Sequence, residues 1–223
     1  MSDVYFLSGW AGVAELFPEL SRRVHFAVPF LEGDEALLVD AAAASGARIL
    51  AGWSTGAHMI VKYAKRLLPL FSTVVLVAPF LRFTDSFPAR LVKSMIARME
   101  KDPAGTGRDF WKACGFAGPA GWRREWAPPL TDGLRYLLAS DAQDGSVPAG
   151  NVTVLHGTAD RIVRPGAVTA VMASLPGAGL VRYAGGHCPD EAILEPYLFE
   201  GPPVSRKGFC PSLDPPHRDR TPG

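Results

Sequence analysis

Between an apolar run and a helix-forming stretch the chain reads Gly52-Trp53-Ser54-Thr55-Gly56, and few folds place those pieces in that order. Arg48 to Ala51 is rich in strand formers, and Thr55 to Leu68 has the residues of a helix. A serine on so abrupt a strand-to-helix turn needs a strained backbone. Gly52 and Gly56 keep neighbouring side chains from colliding there. The arrangement also aims the free N–H groups and positive dipole end of the helix at any anion forming beside Ser54. The strand-turn-helix context separates this pentapeptide from an ordinary glycine turn.

The rest of the chain repeats that alternation. Val4 to Leu7, Val24 to Val28, Val74 to Ala78, Val152 to His156 and Leu180 to Tyr183 read as further strands. Asp34 to Ala44, Leu130 to Ala139 and Pro165 to Leu175 read as helices. Strand and helix taking turns predict an α/β fold with a doubly wound, mostly parallel sheet of about six strands.

Residues 80–126 interrupt the pattern and carry 8 of the 22 aromatic residues. The economical reading is a helical lid inserted between core segments 1–79 and 127–200, over the sheet edge where open α/β sheets bind ligands. From Gly201 the sequence is Pro-rich and polar with little to bury, so 201–223 is expected to be a disordered tail.

Two further segments end strands in polar loops. Val152 to His156 runs into Gly157-Thr158-Ala159-Asp160, and Val181 to Tyr183 into Gly185-Gly186-His187. Taken singly, Asp160 is an ordinary capping aspartate and His187 an ordinary loop histidine. Taken together, serine, aspartate and histidine follow three strands in one chain order and share one sheet edge. In that reading Asp160 orients His187, His187 takes the proton of Ser54, and Ser54 attacks an acyl carbonyl. The Thr55 amide and the Trp10 amide, in the glycine loop Ser8-Gly9-Trp10-Ala11-Gly12, would bind the oxyanion. His25 reads as structural, and His58 and His156 as packing residues or polar groups that support the site from behind.

With 23 Lys plus Arg against 22 Asp plus Glu, the net charge of +1 gives no bias toward nucleic acid or anionic membranes. No apolar run approaches the roughly 20 residues of a membrane span. The N-terminus has no basic segment ahead of a long apolar one. A soluble, cytoplasmic, monomeric protein is expected. Cys114, Cys188 and Cys210 are odd in number and widely spaced, which suits reduced thiols better than disulfides or a zinc site. No metal-ligand cluster or phosphate-binding Gly-Lys-Ser loop is present, so no cofactor is expected.

Over about residues 4–199 the sequence resembles the α/β-hydrolase superfamily. Within it, the Gly9-Trp10 loop, the Gly52-Trp53-Ser54 elbow and the segment Leu130 to Asp141 look most like the pimeloyl-acyl-carrier-protein methyl ester esterases of biotin synthesis. Ser8-Gly9 stands where those relatives carry His-Gly, and the first strand begins at about Val4 without their N-terminal hairpin. The resemblance implies Ser54, Asp160 and His187 as a triad, Trp10 and Thr55 as oxyanion donors, and an acyl-carrier-protein-linked ester as substrate. A general small-ester or thioester hydrolase, and a non-catalytic ligand-binding member of the fold, are the alternatives.

Across 80–126 the charge is net +4, leaving −3 for the remainder. Pro88 to Lys101 reads as a helix with Leu91, Val92, Met95, Ile96 and Met99 on one face. The opposite face carries Arg90, Lys93, Arg98 and Lys101, a candidate docking patch for an acidic carrier protein.

Overall fold

A computed structural model describes residues 2–116, 121–143 and 145–200. The expected tail at 201–223, with Cys210, and residues 117–120 of the expected lid lie outside the described residues.

Six strands form one sheet: β1 Val4–Leu7, β2 His25–Ala27, β3 Ile49–Trp53, β4 Thr73–Val77, β5 Val152–Gly157 and β6 Gly179–Tyr183. Their order is β2-β1-β3-β4-β5-β6 and every neighbouring pair is parallel. The central strands β1, β3 and β4 are buried along almost their whole length, which is why they are continuous apolar runs. The edge strands differ: β2 has three residues, and β6 leaves Gly179, Leu180 and Arg182 exposed.

The helices are α1 Leu20–Arg23, α2 Glu35–Ala44, α3 Thr55–Lys62, α4 Ala64–Leu67, α5 Ala89–Met99, α6 Pro103–Cys114, α7 Ala127–Ala139, α8 Pro165–Ser174 and α9 Glu191–Leu198. The single helix expected from Thr55 to Leu68 breaks at Tyr63, whose backbone leaves the helical region at φ −106°, ψ 25°. At that point the Lys62 ammonium lies 2.8 Å from a Glu35 carboxylate oxygen that the Tyr63 hydroxyl also approaches.

Residues 80–116 and 121–126 contribute helices and no strand. In α6 the Asp102 carboxylate accepts from the Gly105 amide at 2.8 Å, Pro103 occupies the first turn, and Gly115 closes the helix at φ +100°. On α5, Val92 and Met99 are buried and Met95 and Ile96 partly so. Leu91 departs from the expected apolar face: it is 43% exposed, because the buried stripe follows positions 92, 95, 96 and 99 and leaves it beyond the rim. Among the described residues no helix is long and apolar enough to cross a membrane.

The strand register puts Leu7 beside Gly52, Trp53 beside Val77, and Gly157 beside Tyr183. The loops that follow β1, β3, β5 and β6 therefore open on the same edge. The sheet order reverses direction beside β1 and β3, the kind of switch point where open α/β sheets leave a crevice.

His58, on α3, is fully buried. It stacks on Phe80 at 4.8 Å, and its Nδ1 lies 3.0 Å from the Phe80 carbonyl and its Nε2 2.8 Å from Ser140 Oγ. The carbonyl can only accept, so Nδ1 carries the proton and Nε2 receives the Ser140 hydroxyl. Burial pushes the His58 pKa down to about 4. A base whose pKa falls on folding binds fewer protons in the native state, so its contribution is complete above pH 6.5 and is lost as pH falls toward 4. Lowering pH from 7.5 to 4.5 should cost about 2.5 kcal/mol through this group. Urea midpoints at the two pH values should diverge in the wild type and diverge much less in His58→Gln.

Candidate active site

Ser54 is the junction of β3 and α3, with φ +54° and ψ −110°. A non-glycine residue there is strained. Its amide donates to the Val77 carbonyl at 2.8 Å, tying the turn to β4, while the Gly56 amide donates to Ser8 O at 3.0 Å and ties it to the loop after β1. The helix approaches that loop so closely that a Cβ on Gly56 would lie 2.1 Å from the Leu7 carbonyl oxygen. Backbone lies on both sides of the contact, so no rotamer can relieve it. Gly56→Ala should therefore cost at least about 3 kcal/mol, roughly 6–12 °C in Tm for a chain of this size. A thermal melt near the wild-type value would refute this account of the turn.

The structure brings Ser54, His187 and Asp160 into one hydrogen-bonded line. His187 Nε2 lies 2.9 Å from Ser54 Oγ, and His187 Nδ1 lies 2.9 Å from Asp160 Oδ2. Ser54 is 3% exposed and His187 1%. Asp160 Oδ1 is already filled by the Ile162 and Val163 amides at 2.8 and 2.9 Å, the turn-capping use expected of an aspartate after a strand. Burial on its own would raise the Asp160 pKa. The hydrogen bond from His187, with those of the Val163 and Ile162 amides, outweighs it and holds the carboxyl below the ordinary carboxylate value. An ionised Asp160 can only accept, so His187 Nδ1 carries the proton and Nε2 is left to accept from the Ser54 hydroxyl. That protonation pattern is the one a serine nucleophile and its general base require.

The loop expected to carry an oxyanion donor runs from Ser8 to Gly12. The Gly12 amide closes a turn onto Gly9 O at 3.0 Å. The Trp10 amide points at the elbow, donating to Thr55 Oγ1 at 3.2 Å. Thr55 begins α3, so its own amide has no carbonyl one turn earlier in the helix to bond. Both amides singled out in the sequence thus flank Ser54. The Thr55 hydroxyl occupies the acceptor position in front of Trp10.

Several supporting contacts were not given by the sequence reading. The Trp53 indole donates to the His187 carbonyl at 3.0 Å, so the elbow tryptophan anchors the histidine loop. His156, buried beside Asp160, donates through Nε2 to the Val163 carbonyl at 2.9 Å, bracing the turn that caps Asp160. From α7, the Leu130 carbonyl accepts the Trp10 indole at 2.7 Å. From α6, the Trp111 indole donates to Ala11 O at 2.7 Å, Phe110 meets the Trp10 ring edge-on at 4.8 Å, and Cys114 O accepts the Cys188 amide at 3.2 Å. Burial pushes both the Cys114 and Cys188 thiols well up, so these groups pack rather than react. Apart from the His156 contact, each of these joins residues distant in the chain and so has no local sequence signature.

The four basic residues expected to form a docking patch are all on the surface. Arg90, Lys93 and Lys101 are exposed, and Arg98 pairs with Asp109 at 2.8 Å.

No family profile matches the sequence, and no curated protein does so. Solved structures do. An esterase from Exiguobacterium antarcticum superposes with a TM-score of 0.65 at 15% identity, over 87% of this chain and 88% of that one. A hydrolase from Pseudomonas aeruginosa gives 0.57 at 15% identity, over 89% and 86%. The type II thioesterase BorB from the borrelidin biosynthetic cluster gives 0.52 at 16%, over 82% and 84%. With six parallel strands, their flanking helices and these superpositions, the chain has the α/β-hydrolase fold.

Proposed function

We propose that this protein is a serine carboxylesterase. The observation that carries the reading is the line Ser54–His187–Asp160, 2.9 Å at each step, on a strained serine at a strand-to-helix turn. In this mechanism His187 takes the Ser54 proton as Oγ attacks the ester carbonyl, and Asp160 stabilises the imidazolium. The Thr55 and Trp10 amides receive the oxyanion, the substrate oxygen displacing the Thr55 hydroxyl from Trp10. The imidazolium then protonates the leaving alkoxide, leaving an acyl-enzyme. Water, activated by the same His187, attacks that ester and restores Ser54.

The substrate we infer is the methyl ester of a pimeloyl chain on acyl carrier protein. It rests on the resemblance at Gly9-Trp10, Gly52-Trp53-Ser54 and Leu130 to Asp141. The Trp10 indole reaches Leu130 O and its amide reaches Thr55 Oγ1 beside the elbow, which supports these segments working as one packed unit. A general small-ester or thioester hydrolase is the second reading, favoured by the esterase and the thioesterase among the similar structures. A non-catalytic ligand-binding protein is the third.

A fluorophosphonate probe should label the wild type at Ser54 and leave Ser54→Ala unlabelled; an unlabelled wild type returns the fold to the ligand-binding reading. In a strain lacking its pimeloyl ester esterase, wild type should restore growth without biotin and Ser54→Ala should not. Failure of a soluble, probe-reactive wild type would remove the biotin substrate and leave the general hydrolase.

Docking of an acidic carrier on α5, with residues 80–126 as a lid, is part of the proposal. Reversing Arg90 and Lys93 to Glu should lower kcat/KM for a carrier-linked ester by about tenfold or more while a small soluble ester is turned over as before. Equal losses on the two substrates would eliminate the docking role.

A further inference from the structure

The turn that carries the Trp10 amide holds an unusual residue. In the four-residue turn closed by Gly12 N and Gly9 O, the third position has φ +53°. A turn that demands positive φ there favours Gly or Asn, and this chain has Ala11, whose Cβ disfavours that conformation. Something beyond local preference must hold it. One fixed atom lies just past the strained bond: the Ala11 carbonyl, accepting from the Trp111 indole at 2.7 Å. Another fixes the preceding residue: the Trp10 indole on Leu130 O. Between those two anchors the Trp10 backbone is clamped with its amide toward Thr55.

Trp111 is 2% exposed and belongs to α6, whose neighbouring Phe110 packs edge-on against Trp10 and whose Cys114 carbonyl receives the Cys188 amide next to His187. One helix thus touches the loop of the oxyanion amide and the loop of the base.

We propose that Trp111 is a positioning residue for the oxyanion site: its indole N–H holds Ala11 in the left-handed region and thereby keeps the Trp10 amide aimed at the reacting carbonyl. The inference rests on the serine esterase reading and adds to it that α6 helps assemble the site it covers. The helix acts on catalysis through the backbone of residues 10 and 11, without touching the substrate's reacting atoms.

The test uses the full chain, p-nitrophenyl butyrate and a fluorophosphonate probe. Wild type is labelled first. If it does not label at Ser54, the esterase reading fails and takes this inference with it, a result visible before any Trp111 variant is made. Trp111→Phe removes the donor and keeps an aromatic ring. It should lower kcat about tenfold, a fraction of what losing an oxyanion donor outright costs, and slow labelling in parallel. KM should stay within about twofold. Adding Ala11→Gly should then restore most of kcat, because glycine takes positive φ without the missing anchor. A Trp111 with only a packing role predicts no such rescue.

Site-specific replacement of Trp111 by benzothienylalanine, which keeps the ring shape and has sulfur in place of the N–H, makes the same deletion without a cavity and serves if the phenylalanine variant does not fold. Unchanged kcat, a loss confined to KM, or a double variant no faster than Trp111→Phe would overturn the proposal.

Discussion

The contact on which the site depends is the approach of α3 to the end of β1 at Gly56. With hydrogen in place of a side chain, the first turn of the helix rests on the Leu7 and Ser8 carbonyls, and the Gly56 amide bonds Ser8 O. That contact brings the turn after β3 and the loop after β1 into register, so Ser54, Thr55 and Trp10 face one another. The strain at Ser54 is affordable because the surrounding backbone over-determines it: Val77 on one side, Ser8 on the other.

The polar line through the site meets a different demand. An ionised carboxylate enclosed by protein is expensive unless its lone pairs are filled. Asp160 meets that condition with two backbone amides on one oxygen and His187 on the other. Its position is secured in turn by His156, which holds the Val163 carbonyl. The residue that orients the histidine is thus itself oriented by a turn and a second histidine, while the Trp53 indole fixes the far side of the His187 loop. Geometry that looks like three residues is maintained by roughly twice as many.

What the sequence made legible follows from where information is local. The central strands show in it as apolar runs because burial on both faces selects such runs, while β2 and β6 at the borders are mixed and partly exposed, and the observed boundaries shift by a residue or two. Ser54, Asp160 and His187 were readable as a group because Ser54 directly follows a strand, the other two lie in the short loops after theirs, and parallel pairing carries such positions to one edge. Helix α6 was hidden by Gly105 and Gly107, although Asp102, Pro103 and Gly115 mark its ends. Helix α9 was hidden by an internal Pro196. Leu91 misled because a wide apolar arc in sequence says nothing of how far the neighbouring surface extends. The clamps from Trp111, Trp53 and Leu130 join residues about 100 or more positions apart, beyond the reach of any local pattern.

The rims of the sheet have a consequence of their own. Parallel strands expose unpaired N–H and C=O groups wherever a sheet stops, and a long flat apolar border recruits other chains. Here one border strand has three residues, and the other is five residues long with Arg182 exposed and glycine at its start. Neither border presents the long apolar ladder on which intermolecular β-pairing grows, so the fold confines its strongest β-forming segments to the centre, where both edges of each are already taken.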